Sequence, residues 1–207
     1  ILNRIVRWTS SGWEYEADQR HAEIIIEGMG MKGSKAVKTP GEDSPAWKLE
    51  EEEEPLPNSQ STKYRMIAAR ANSLCSDRAD IQFAVKECCR GMAAPETRHW
   101  NMIKRLARYL AGRPKRFGNT FGREKNISWD TATQIGQAAK RPVSGGLAVW
   151  NQGLIKSWSR TQGIIAISSC EARFYAASKG VAEGLGIQSW MKDMGITVRL
   201  EVHQDSA

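Results

Sequence analysis

No run of about 18 apolar residues occurs anywhere in the chain, and no apolar segment follows a basic start. Those absences exclude the usual membrane-crossing helix and the usual export signal, and the expectation is a soluble protein of the cytoplasm or nucleus. Cysteine is scarce, with four residues at 75, 88, 89 and 170. An adjacent pair and two distant singles fit neither a CxxC metal knuckle nor a disulfide-dense secreted scaffold, so they read as ordinary buried thiols. Acid is short as well: 23 Asp and Glu stand against 30 Lys and Arg, a net charge of +7. A basic balance permits a polyanionic partner without naming one.

What is present suffices for one sizeable core or two small ones, since 41% of the 207 residues are hydrophobic. Glu50 to Glu54 form an unbroken acidic run flanked by Pro40, Gly41, Ser44 and Pro45 on one side and Pro55, Pro57, Asn58 and Ser59 on the other. Such a composition cannot bury apolar surface, and residues 41–60 read as a linker. Before it, Gly28, Gly30 and Gly33 spell a formal GxGxxG. A dinucleotide fingerprint needs a strand before and a helix after, whereas this one runs into Pro40, so the glycines are read as the end of an amphipathic helix from about Gln19 to Glu27.

Beyond the linker the spacing predicts helices. Tyr64, Ile67, Ala68, Ala71 and Leu74 form one stripe; Asp77, as N-cap with Asp80 three on, introduces Ile81, Ala84, Val85 and Cys88; Pro95 opens a third helix with Trp100, Ile103, Leu106, Ala107 and Leu110 on one face. The other face carries "KRLARYLAGRPKR", with Lys104, Arg105, Arg108, Arg113, Lys115 and Arg116. Two readings stand side by side there, a solvated helix face and a set of phosphate contacts.

From Phe117 the period changes. "KNISWD" is a strand candidate ending on Asp130, "SGGLAVWNQGLIKSWS" reads as two strands around Asn151-Gln152-Gly153, and "ITVRLEVHQDSA" alternates Val198, Leu200 and Val202 before Asp205. Between them, "IIAISSCEARFYAASKG" breaks an apolar run at a Ser-Ser pair and opens a helix. Ser168 and Glu171 have the spacing of a capping box, and Glu171 is also a carboxylate free to serve chemistry. A β-β-β-α-β order with an Asp on the first strand, a Glu opening the helix and an Asp ending the last strand is that of the ribonuclease H fold.

The motifs "YEADQRHAEII", "TPG", "YRMIAARANSLCSDRADIQFAVKECCRGMAAP", "LARYL", "SGG", "IKSWSRTQ", "ISSCEARFYA" and "DSA" run in order along nearly the whole chain. In them the chain resembles the distal part of the Pol polyprotein of copia-type retrotransposons, the end of the reverse transcriptase followed by ribonuclease H. The resemblance implies an α+β or α/β protein, a helical thumb- or connection-like segment followed by a C-terminally truncated mixed sheet with a packed helix. Its parts are residues 1–40 as the reverse-transcriptase end, 41–60 as the linker, 61–118 as the helical connection and 119–207 as the ribonuclease H-like domain. The paired aspartates of the polymerase palm are absent, so polymerase activity is not expected.

The same resemblance implies that Asp130, Glu171 and Asp205 are catalytic and hold two Mg²⁺ ions for hydrolysis of RNA in an RNA–DNA hybrid, with the rest of Pol as a further partner. Two divalent ions about 4 Å apart require clustered carboxylates, because hard cations take several oxygen ligands and repel one another. The chain departs from the family's pattern beside Asp130, where Ala132 and Thr133 replace an acid and a tryptophan, and at Arg173, where a second glutamate is common. The fourth carboxylate is expected past residue 207. Two functions follow: a hybrid-directed ribonuclease, weak or inactive as this chain, or a non-catalytic remnant that binds nucleic acid through Lys104, Arg105, Arg108, Arg113, Lys115 and Arg116.

Overall fold

The computed structural model describes residues 4–10, 12–41, 54–113, 117–121, 126–134, 142–150 and 153–204, and for 117–121 and 126–134 it describes the backbone. The acidic run up to Glu53, together with Lys115, Arg116 and Asp205, lies outside the described residues. The elements in chain order are β1 (Ile5–Thr9), β2 (Gly12–Glu16), α1 (Gln19–Gly28), α2 (Asn58–Cys75), a 3-10 turn (Ala79–Ile81), α3 (Gln82–Arg90), α4 (Thr97–Gly112), β3 (Phe117–Phe121), β4 (Asn126–Gln134), β5 (Val143–Trp150), β6 (Gly153–Thr161), α5 (Ser169–Asp193) and β7 (Arg199–Gln204). The chain divides into two units, Ile1–Ile5 with Glu16–Phe117 and Val6–Tyr15 with Gly118–Ala207.

The first unit is helical. The stripe read from sequence on α2 is buried as Tyr64, Ile67, Ala68, Ala71 and Leu74, and it meets Ile25 of α1, Val85 and Cys88 of α3, and Ile103, Leu106 and Leu110 of α4 in one core. Each fully buried aliphatic side chain contributes roughly 1.5–3 kcal/mol relative to exposure. The Tyr64 hydroxyl donates to the Cys88 carbonyl, which satisfies its polar end inside that core. Burial raises the Cys88 thiol to about 12 and the Cys75 thiol to about 11, so both stay protonated and inert. Cys170, by contrast, is exposed, contrary to the reading of all four as buried.

Helix starts differ from expectation at two places. Asp77 does not cap a helix: it accepts from Arg4 Nε at 2.9 Å, Asp80 is occupied by Arg78, and α3 begins only at Gln82 after the 3-10 turn. The fourth helix opens at Thr97 rather than Pro95, because Glu96 and His99 satisfy each other's backbone donors in a capping box. Helix α1 ends as read, its glycine-rich tail turning at Gly30 and Gly33 with φ of 66° and 75°, the left-handed region open to glycine.

The second unit holds two sheets. One has the order β1-β2-β3, so Phe117–Phe121, which the sequence does not mark as a strand, pairs outside the C-terminal sheet. The other has the order β6-β5-β4-β7, with β4 antiparallel to β5 and parallel to β7. A parallel neighbour needs a crossover, and α5 supplies it. Ala148, Trp158, Ile155, Leu200 and Ile187 pack between this sheet and α5. A side chain on Gly146 would sit 2.1 Å from the Trp158 ring, which gives the "SGG" motif its physical meaning. Among the described residues no helix is long and apolar enough to cross a membrane.

Candidate functional site

Glu171 occupies the first turn of α5. The Ser168 hydroxyl accepts from the Glu171 backbone N–H at 3.1 Å, while Glu171 Oε2 accepts from the Ile167 N–H at 2.7 Å. The capping box is therefore shifted by one residue on its return arm, since the carboxylate reaches Ile167 rather than Ser168 itself. The Tyr175 hydroxyl donates to Glu171 Oε1 at 3.2 Å, and its own pKa is pushed up, first by that hydrogen bond and then by the carboxylate's charge. Tyr175 was not anticipated, although its position four residues on is one helical turn away. A second anchor was also missed: Gln162 Nε2 donates to Ser144 Oγ at 2.6 Å and to the Ala172 carbonyl at 2.7 Å, tying the start of α5 to β5.

Asp130 does not end a strand. It is central in β4, because Thr131, Ala132 and Thr133 continue the ladder to the Gln134–Val143 pair, and threonine suits a pleated strand. Its partners are Leu147 on β5 and His203 on β7. Ala148 and Leu200, which pack with Ile187 of α5, pair with Trp129 and Ile127. Asp130 thus belongs to the alternate set of β4 residues, and a slip of one residue would exchange the two sets. Asp205 lies outside the described residues. Among the described residues no three His, Cys, Asp or Glu side chains gather as metal ligands.

The basic helix face is engaged within its own unit. Arg105 donates to the Gly41 carbonyl at 3.2 Å and to Thr39 Oγ1 at 2.9 Å, and Arg108 donates to the Lys35 carbonyl at 3.0 Å. Arg113 lies over the Tyr109 ring, 5.5 Å from its centroid, and its carbonyl accepts from Arg78. Lys104 is exposed. The arginines bind the residues after α1 to α4, a role that composition alone does not distinguish from phosphate contact.

No family model matches the chain, and no solved structure matches it. It is 28% identical over 187 residues to the "Retrovirus-related Pol polyprotein from transposon RE2" of Arabidopsis thaliana, covering 87% of this chain and 12% of that protein. It is 26% identical over 206 residues to the corresponding polyprotein from transposon TNT 1-94 of Nicotiana tabacum, covering 93% of this chain and 15% of that protein. A third relative, "Secreted RxLR effector protein 161" of Plasmopara viticola, is 30% identical over 112 residues, 52% of this chain and 78% of that protein. The molecule is thus an α+β protein, with one helical unit and one unit of two small sheets in which α5 packs on the β6-β5-β4-β7 sheet. Over most of its own length the chain is similar to retrovirus-related Pol polyproteins of transposons, and it spans about an eighth of their length.

Proposed function

We propose that the chain carries the ribonuclease H part of a transposon Pol polyprotein, joined to the end of its reverse transcriptase, and that its substrate class is RNA paired with DNA. The observation that supports this most is the β6-β5-β4-β7 order with α5 as crossover and Glu171 in its first turn. Fold alone does not fix function, so the claim rests on the acids. Asp130, Glu171 and Asp205 are the proposed ligands, and two Mg²⁺ ions, when bound, would activate a water and stabilise the leaving oxygen. Of the three, only Glu171 has a described side chain, and its two oxygens already accept from Ile167 and Tyr175. The described residues by themselves do not form a cage for two cations.

A second reading has its own support: a non-catalytic chain that still holds nucleic acid, in which Glu171 is a helix-start residue. The engaged Glu171 oxygens, each already accepting a hydrogen bond at the start of α5, favour it. One experiment separates the two. The chain is incubated with a labelled RNA–DNA hybrid in Mg²⁺, beside Glu171→Gln, which keeps an acceptor for Ile167 but loses the charge. Cleavage that disappears in Glu171→Gln supports the nuclease. Hybrid binding without cleavage at any Mg²⁺ concentration supports the second reading, and cleavage unchanged in Glu171→Gln overturns the metal role.

A further inference from the structure

Lys179, Glu183, Gly186 and Trp190 follow one another at helical spacing along α5, and with Lys156 of β6 and Ile187 they line a groove of about 480 Å³. From Lys179 to Trp190 the helix advances about 16 Å at its usual rise. Lys156 Nζ lies 2.5 Å from Glu183 Oε2. That hydrogen bond, then the charges of Lys156, Lys179 and Arg160, hold the Glu183 carboxyl below its ordinary range. Lys156 and Lys179 thus line the groove with Glu183, Arg160 follows Lys156 on the same alternation of β6, and Lys179 and Arg160 hold no salt bridge of their own among the described residues. At the groove's far end the Trp190 indole is 54% exposed.

We propose that this groove binds single-stranded nucleic acid, with Trp190 stacking on an unpaired base and Lys156, Lys179 and Arg160 facing the phosphates. The combination decides the occupant. Cations alone would suit any polyanion, but an open indole face adds affinity for a ligand that carries flat rings at the spacing of its charges. A duplex hides those rings in its stack, so the groove favours a single strand. The inference rests on the reading of the chain as a nucleic-acid-directed part of Pol, and it uses the middle of α5 rather than the first turn that holds Glu171.

The test is fluorescence anisotropy of labelled oligothymidylate with the full chain over a range of salt. Trp190→Ala should weaken binding roughly five- to 150-fold, and Trp190→Phe should keep most of the affinity. Lys179→Gln with Arg160→Gln should shallow the salt slope by about 1.4, at about 0.7 per phosphate contact on a single strand. All these side chains are on the surface, and the Phe variant guards against misfolding as an explanation. Equal binding by wild type and Trp190→Ala, an unchanged slope, or competition by polyglutamate as strong as by oligothymidylate would each overturn the proposal. Hybrid cleavage is measured in parallel: its absence with oligothymidylate binding intact removes the nuclease and leaves the groove standing.

Discussion

Replacing Asp80 with alanine should be among the most damaging changes to the helical unit. The Arg78 side chain is 2% exposed and that of Asp80 is 11%. The guanidinium donates through Nε and a terminal nitrogen to both carboxylate oxygens, at 2.9 and 2.8 Å, and through its third nitrogen to the Arg113 carbonyl at 3.1 Å. Tyr109 adds a hydroxyl donor to Asp80 Oδ2 at 2.9 Å. Asp80→Ala would leave a buried cation with one acceptor, and breaking a buried pair from one side costs about 3–5 kcal/mol. That is a large share of the roughly 5–15 kcal/mol that holds a typical domain together. With a urea slope of about 2 kcal/mol/M, the midpoint of the helical unit should fall by about 2 M, read by far-ultraviolet circular dichroism. The double variant Arg78→Met/Asp80→Leu should recover most of the loss, because no buried charge is then left alone. A single-variant shift under about 0.5 M, or a double variant as unstable as Asp80→Ala, would refute the account of a buried, mutually dependent pair.

Gly146→Ala should destabilise the sheet unit by about 1–3 kcal/mol, because the new methyl meets the 7%-exposed Trp158 ring, and an unaltered thermal midpoint would show that the ring moves freely. His99 carries a pH dependence. Burial, then the Arg98 charge, lower its pKa from 6.5, and its Nδ1 accepts from the Glu96 N–H. The unfolded imidazole therefore takes up a proton before the folded one does, so stability is full above the unfolded value of 6.5 and falls as pH drops from there toward the depressed folded value. Urea midpoints across that window should decline in the wild type and stay flat for this contribution in His99→Phe. Arg105→Ala with Arg108→Ala should lower stability by about 1–2 kcal/mol if these guanidiniums hold the chain after α1, and a loss of nucleic-acid affinity with unchanged stability would return them to the role of phosphate contacts.

The parts legible in the sequence were those governed by local spacing. Tyr64, Ile67, Ala71 and Leu74 could be placed in a core because a helix brings every third or fourth residue to one side, and the paired strands β5 and β6 could be read from their own short stretch of sequence. Ser168 announced the start of α5 for the same local reason. What failed required a partner from far along the chain. Asp77 has the chemistry of an N-cap, but Arg4, 73 residues away, takes it. β1 and β2 were not anticipated, and β3 pairs with them rather than with β4, a choice made by long-range pairing that no window of ten residues contains. The α4 arginines had the composition of a nucleic-acid face, and only their acceptors at Lys35, Thr39 and Gly41 reveal the internal use.

The question posed by Glu171 turns on counting acceptor sites. An ionised carboxylate offers about four lone-pair directions, and the Ile167 N–H and the Tyr175 hydroxyl occupy one on each oxygen. Capping and cation binding are thus compatible at this residue, and the donors that cap it would also help to hold the carboxylate in one orientation. On β4 the register pairs Trp129 with Ala148, which packs with Ile187 of α5, and gives Asp130 the neighbouring position opposite Leu147. A shift of one residue in β4 would exchange the positions of Asp130 and Trp129 along that ladder. A helix start that caps itself through Glu171 is therefore open to either proposed function, and the comparison of Glu171→Gln with the wild type in Mg²⁺ decides between them.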